Sequence, residues 1–156
     1  MTSSPSERLK ELGIALPAPR KPVANFLPYK QCGNLLYLSG QGPVDVDGRR
    51  YTGKVGGDVT AEEAYEHARL TTLNLLAMAD AALGSLDNVL EVVKILGFVN
   101  AVPEFSQHPR VINGCSDLLL SIFGPERGAH ARSAIGAGSL PNQITVEIEM
   151  IILTRG

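Results

Sequence analysis

The chain has no run of 18 apolar residues, and its N-terminus, Met1 to Lys10, carries no hydrophobic segment behind the first charges. Neither a membrane span, which needs about 20 apolar residues, nor a secretory signal is therefore expected, and the chain reads as cytoplasmic. Cysteine is scarce. Cys32 and Cys115 are too few for a disulfide scaffold and lack metal-ligand spacing, so two reduced structural thiols are expected. The three histidines, His67, His108 and His130, build no zinc site by spacing. Positive charge is neither abundant nor clustered: 14 Lys and Arg face 16 Asp and Glu, a net charge of -2. A nucleic-acid partner is disfavoured by that balance. Ser39 has no His or Asp arranged around it as a triad, and Gly53 to Gly57 lack a phosphate-loop pattern, reading instead as a flexible loop over a cleft.

What is present is enough for a core. Hydrophobic residues make up 44% of the 156 and charged residues 19%, the profile of one ordinary globular domain. Ser3 or Ser4 ahead of Pro5 predicts a short helix to Leu12, and Pro17, Pro19 and Pro22 then force an extended arm. The expected division is an arm over 1–22 and a domain over 23–156. Ala24 to Tyr29 and Leu35 to Ser39 read as a hairpin around Gly33-Asn34, with a further short strand near Tyr51 to Lys54. Thr60-Ala61-Glu62-Glu63 is a capping box opening a long helix with the stripe Ala64, Ala68, Leu75, Ala79, Ala82 and a stop at Gly84. Val92 to Val99 reads as a buried strand. Pro109 opens a second helix, ended by Gly124-Pro125.

The C-terminal region reads as a second hairpin, His130 to Ser139 joined by Leu140-Pro141-Asn142-Gln143 to a strand from Ile144. Alternation puts Val146, Ile148, Met150 and Ile152 on a core face, and Thr145, Glu147, Glu149 and Ile151 opposite. The order of elements predicts an α+β fold, a mixed sheet with two helices packed on one face. Its other face, expected to hold Arg132, Ala134, Gly136 and Gly138 as well as Thr145, Glu147 and Ile151, is too small and too apolar for plain solvent. Subunits associating through their sheets would cover it.

Ala131-Arg132-Ser133, Pro141 and Val146-Glu147-Ile148-Glu149, together with Gly33-Asn34-Leu35-Leu36-Tyr37-Leu38-Ser39-Gly40-Gln41, resemble the Rid/YjgF family of reactive-imine deaminases in order and spacing. The resemblance runs from about Val23 to Thr154. It implies the chorismate-mutase-like fold, a homotrimer with clefts between subunits, and a small carboxylate-bearing metabolite as ligand. A guanidinium suits a carboxylate bidentately, and the matching arginine in relatives grips the substrate carboxylate, so Arg132 is the first candidate. The alternative is a salt bridge to Glu147 or Glu149 that ties the hairpin. Glu147, its pKa raised by desolvation, could move protons near neutral pH; relatives link it to the water that attacks the imine carbon. Glu149 reads as a solvated or structural acid. Ser39 and Gly40 are carried over as lining the cleft, and Asn113 as a candidate from the second helix.

Two positions depart from the archetype. The cleft tyrosine aligns with Phe26, Tyr29 being a neighbour only if the strand slips by an odd number, and the cysteine two residues after the arginine is Ala134. His130 is a minor candidate as a proton carrier at the cleft edge. The expected activity is hydrolysis of 2-imino and enamino acids to 2-keto acids and ammonia, without metal or organic cofactor, because oriented water already attacks a protonated imine. The alternatives are a 2-aminomuconate-type deaminase, which Phe26 could suit, and a non-catalytic carboxylate sensor or partner protein. Endoribonuclease activity is the least attractive.

Overall fold

The computed structural model describes residues 2–22 and 24–156. The boundary expected at residue 23 falls on Val23, outside the described residues. Helix α1, Pro5–Glu11, is capped by Ser4, whose hydroxyl accepts from the Glu7 amide while Glu7 reaches back to the Ser4 amide. It docks rather than floats: Leu9 is buried in the core and the Ser6 amide donates to Asp87 Oδ1 at 2.9 Å. Strands β1 (Tyr29–Cys32) and β2 (Leu35–Gln41) form the expected hairpin. The first strand begins at Tyr29 rather than Ala24, leaving Phe26 in the preceding loop. No strand forms over Tyr51 to Lys54, where Thr52 makes only an isolated bridge to Ile144.

Helix α2, Ala61–Leu83, opens on the Thr60–Glu63 capping box and closes on Gly84 at φ 76°. Strand β3, Val89–Asn100, is longer than its apolar run predicts. Helix α3, His108–Arg127, breaks at Gly124 (φ 80°, ψ 172°), where Gly124-Pro125 predicts a stop. Strands β4 (Ala131–Ala137) and β5 (Val146–Thr154) complete a five-stranded sheet ordered β1-β2-β5-β3-β4. Helices α2 and α3 cover one face. Between them and the sheet lie Ile95, Val99, Ile148, Met150 and Ile152, all essentially without solvent contact. The helices cross closely because residue 114 is glycine: a Cβ there would stand 2.0 Å from the Tyr65 carbonyl oxygen. Among the described residues no helix is long and apolar enough to cross a membrane.

The C-terminal hairpin does not exist. Strand β4 pairs parallel with β3, and β5 pairs antiparallel with both β2 and β3, so β3 lies between the two supposed partners. A strand returning through a helix is led to a parallel neighbour, and β3-α3-β4 is such a crossover. The open slot between β2 and β3 then takes β5. The face assignment changes too. Arg132 pairs with Ile95 and Ala134 with Gly97, both core-facing, so Arg132, Ala134 and Gly136 lie on the helix side. Thr145, expected on the open face, is fully buried and bonded to His67 Nδ1 at 2.9 Å.

Candidate functional site

The expected site residues fall into two groups on opposite faces of the sheet. The first surrounds the end of β2. Leu38 pairs with Met150 and Gln41 with Ile148, so the ladder slips by one residue at Ser39-Gly40. A bulge of this kind turns backbone out of the sheet. The hydroxyl of Ser39 donates to the Leu27 carbonyl oxygen at 2.6 Å and holds the preceding loop in place. Phe26, half exposed, lines a cleft of about 170 Å³ together with Ser39 and Gly40. Tyr29 pairs with Leu38, packs against the core and lines a neighbouring cleft with Ser39, so both rings stand near Ser39 and Phe26 alone shares the cleft with Gly40.

Glu147 reaches this group from β5. A Cβ on Gly40 would come within 3.1 Å of its carboxyl group, so glycine is what lets the carboxylate approach. The carboxyl is half-buried, and its pKa is raised first by desolvation and then by the charge of Glu149 two residues on. Glu149 is exposed on the same open face. The desolvation expected from sequence is thus present, and the neighbouring acid strengthens it.

The second group sits on β4 and α3. Arg132 Nη1 donates to Ser116 Oγ at 3.0 Å and Nη2 to the Pro109 carbonyl oxygen at 3.1 Å. Asn113, on α3, shares the helix face of Pro109 and Ser116 by spacing. Ala134, two residues along β4, points to the same side. His130 Nδ1 donates to the Gly128 carbonyl oxygen (2.7 Å), and Nε2 lies 2.8 Å from Ser116 Oγ. A carbonyl only accepts, so Nδ1 carries a proton; Ser116 accepts from Arg132 and can pass its own hydrogen to Nε2. His130 therefore shares the Ser116 hydroxyl with the guanidinium, and both of its ring nitrogens are engaged. Sequence reading missed Ser116, although its α3 position seven residues after Pro109 aligns it with one edge of the helix.

Arg132 and Glu147 do not meet within one chain. Their rows, Arg132-Ile95-Met150 and Ile135-Phe98-Glu147, are three residues apart, on opposite faces. The two strands are roughly 10 Å apart, two strand spacings. No salt bridge joins Arg132 to either acid among the described residues, so the hairpin-tying role is excluded. Two other expectations change. His67, which its place on the polar side of α2 would leave at the surface, is half-buried beside the Tyr51 ring (4.7 Å between centroids), its pKa lowered by desolvation. The Gly53–Gly57 loop is no free lid: Lys54 Nζ donates to Asn100 Oδ1 (2.6 Å) and the Gly138 carbonyl oxygen (2.5 Å), and Val55 is fully buried. Cys115 is buried, with its thiol pushed up to about 12, and Cys32 is exposed; both are free.

The family described as "YjgF/chorismate mutase-like, putative endoribonuclease" matches residues 6–149. Protein TCP17 of Trypanosoma cruzi is 42% identical over 144 residues, 92% of this chain and 90% of its own. A protein of Dermatophagoides farinae named 2-iminobutanoate/2-iminopropanoate deaminase is 28% identical over 140 residues, 90% of this chain and 94% of its own. The crystal structure of a protein of unknown function from Agrobacterium tumefaciens superposes with a TM-score of 0.88 at 43% identity, covering 97% of this chain and 92% of that one. With the family model matched over residues 6–149, a 42% identical relative, and the mixed sheet with its helices on one face, the chain belongs to the Rid/YjgF family.

Proposed function

We propose that the protein is a hydrolytic deaminase of reactive 2-imino and enamino acids, with each site completed by a second copy of the chain in a homotrimer. The observation that carries this reading is Glu147: a half-buried carboxyl with a raised pKa, set against Gly40 at the floor of the Ser39 bulge. Such a group takes a proton from water near neutral pH more readily than an exposed carboxylate. Water oxygen then bonds to the imine carbon, and the proton returns to nitrogen. As the carbinolamine collapses, its hydroxyl proton passes to the nitrogen, the C–N bond breaks to release ammonia and the C=O bond of the 2-keto acid forms. Arg132, oriented by Ser116 and the Pro109 carbonyl, holds the substrate carboxylate. Ser39, Gly40 and Phe26 shape the pocket, with Asn113 and Ala134 beside the arginine.

Two features support the assembly. Arg132 and Glu147 lie on opposite faces of one chain's sheet, so a ligand touching both needs two chains. The open sheet face carries Tyr37 and Ile135, 42% and 46% exposed, where a cover would remove apolar area from water. The relative named a deaminase supports the reaction class. The test generates imino acids with an amino-acid oxidase and follows their decay. Wild type is expected to accelerate it, and Arg132→Ala to lose about 100-fold in kcat/KM through the missing charge-assisted pair. Equal, slow decay with both proteins rejects the reading.

A further inference from the structure

The cleft beside Ser39 and Gly40 is lined by three cations, Arg20, Lys21 and Arg50, along with Phe26. Two come from the arm before β1 and one from the loop after β2. The course of the arm is fixed at several points: by Pro17, Pro19 and Pro22, by the docked α1, and by Arg20 Nη2, which donates to the Asp45 carbonyl oxygen at 2.8 Å. Arg50 lies on a backbone bridge to Val44. The loop that carries it is tied to α2, whose Asn74 Nδ2 donates to the carbonyl oxygens of Gly42 (3.2 Å) and Val44 (2.9 Å).

Among the described residues the ion pairs are Arg8 with Glu11 and Arg110 with Glu62, and neither involves these cations. Asp45 is near, but its carboxylate is turned into its own loop, accepting from the amides of Asp47 and Arg49 at 3.0 and 2.9 Å. Among the described residues neither Asp45 nor Glu147, whose carboxyl lies against Gly40, forms an ion pair with the three cations; three unpaired like charges lining one cleft favour an anion there, and guanidinium forks suit carboxylate or phosphate oxygens.

We propose that this cleft is a second anion subsite: the ligand bears, besides the carboxylate assigned to Arg132, another anionic group that Arg20, Lys21 and Arg50 receive. The proposal rests on the deaminase reading only for the first carboxylate. It makes the N-terminal arm a specificity element, and it selects two-anion substrates over simple 2-imino acids. The anion is a second carboxylate or a phosphate-type group, and the chemistry of recognition is shared.

The experiment is calorimetric titration at low salt with three stable 2-keto acids: 2-oxobutanoate, 2-oxoglutarate and phosphonopyruvate. Proteins are wild type, Arg20→Gln, Arg50→Gln and the charge-keeping Arg50→Lys, each checked for an unchanged Tm. Wild type is expected to bind one of the two-anion ligands about tenfold or more tighter than 2-oxobutanoate. The ratio falls toward one in Arg50→Gln and in Arg20→Gln, largely survives in Arg50→Lys, and shrinks with added salt. Preference for 2-oxoglutarate identifies the second group as carboxylate, and preference for phosphonopyruvate as phosphate-like. Equal or absent binding of the three ligands by wild type overturns the proposal. So does an Arg50→Gln protein that loses all three alike, since the cation would then serve the first carboxylate. Imine turnover is scored separately: a two-anion preference without turnover sinks the deaminase reading alone, and turnover without preference sinks the subsite alone.

Discussion

Half-burial beside Glu149 makes the ionised form of Glu147 costly, so its folded pKa lies above the ordinary 4.5. A carboxyl shifted upward contributes stability that is complete below pH 4.5 and is lost as pH rises through the folded value. Glu147→Gln removes that loss. Calorimetry is expected to give the variant a higher Tm than wild type at pH 7, with the gap closing at pH 4. The same substitution removes the proton acceptor, and kcat should fall about 100-fold. A variant less stable than wild type at pH 7 would contradict this account of the site. Ser116 offers a second test at this scale. Ser116→Ala leaves Arg132 Nη1 and His130 Nε2 without their shared hydroxyl, at a cost of about 1–2 kcal/mol in urea unfolding. Because it loosens the group that binds rather than the one that reacts, KM is expected to rise about tenfold with a smaller change in kcat.

Among the elements, the α2–α3 crossing depends on Gly114. A Cβ there would meet backbone, the Tyr65 carbonyl at 2.0 Å, which cannot rotate away. Gly114→Ala is expected to cost about 3 kcal/mol by urea unfolding, and a loss under 1 kcal/mol would mean the helices sit farther apart. Elements whose apolar residues repeat cleanly were legible in the sequence. The α2 stripe, its capping box and the Val146-Ile148-Met150-Ile152 face of β5 all fold as their periods predict. Strand neighbours were not legible, because a period reports which face a residue takes and not which strand lies beside it. Leu140 to Gln143 looks like a hairpin turn, yet it carries the chain across β3 to the slot beside β2. The face of β4 was hidden for another reason. Its Ala, Ser and Gly residues have no apolar alternation, so only the register with β3 places Arg132 on the helix side. At the site, the open-face position of Glu147 was legible from the alternation of β5, and Ser39 and Gly40 came from the resemblance, whereas the bulge at Ser39-Gly40, Ser116 and the three cleft cations depend on segments that only folding brings together.

For the whole molecule, the proposed reading makes one chain the source of two half-sites, and the open sheet face carries Tyr37, Leu96, Ile135 and Ile151. Ile135→Asp places a charge where a neighbour would pack. Analytical ultracentrifugation is expected to show wild type as a trimer and the variant as a folded monomer without turnover. An Ile135→Asp protein that remains assembled, or a wild type that sediments as a monomer, would remove the proposed cover from that face. The most direct measurement of the central claim, that each site joins two chains, is complementation. Arg132→Ala and Glu147→Gln, each inactive alone, are unfolded together in equal amounts and refolded. Random trimers place an intact Arg132 opposite an intact Glu147 at one interface in four, so imine hydrolysis should recover to about a quarter of wild type. A mixture as inactive as its two components would contradict the account.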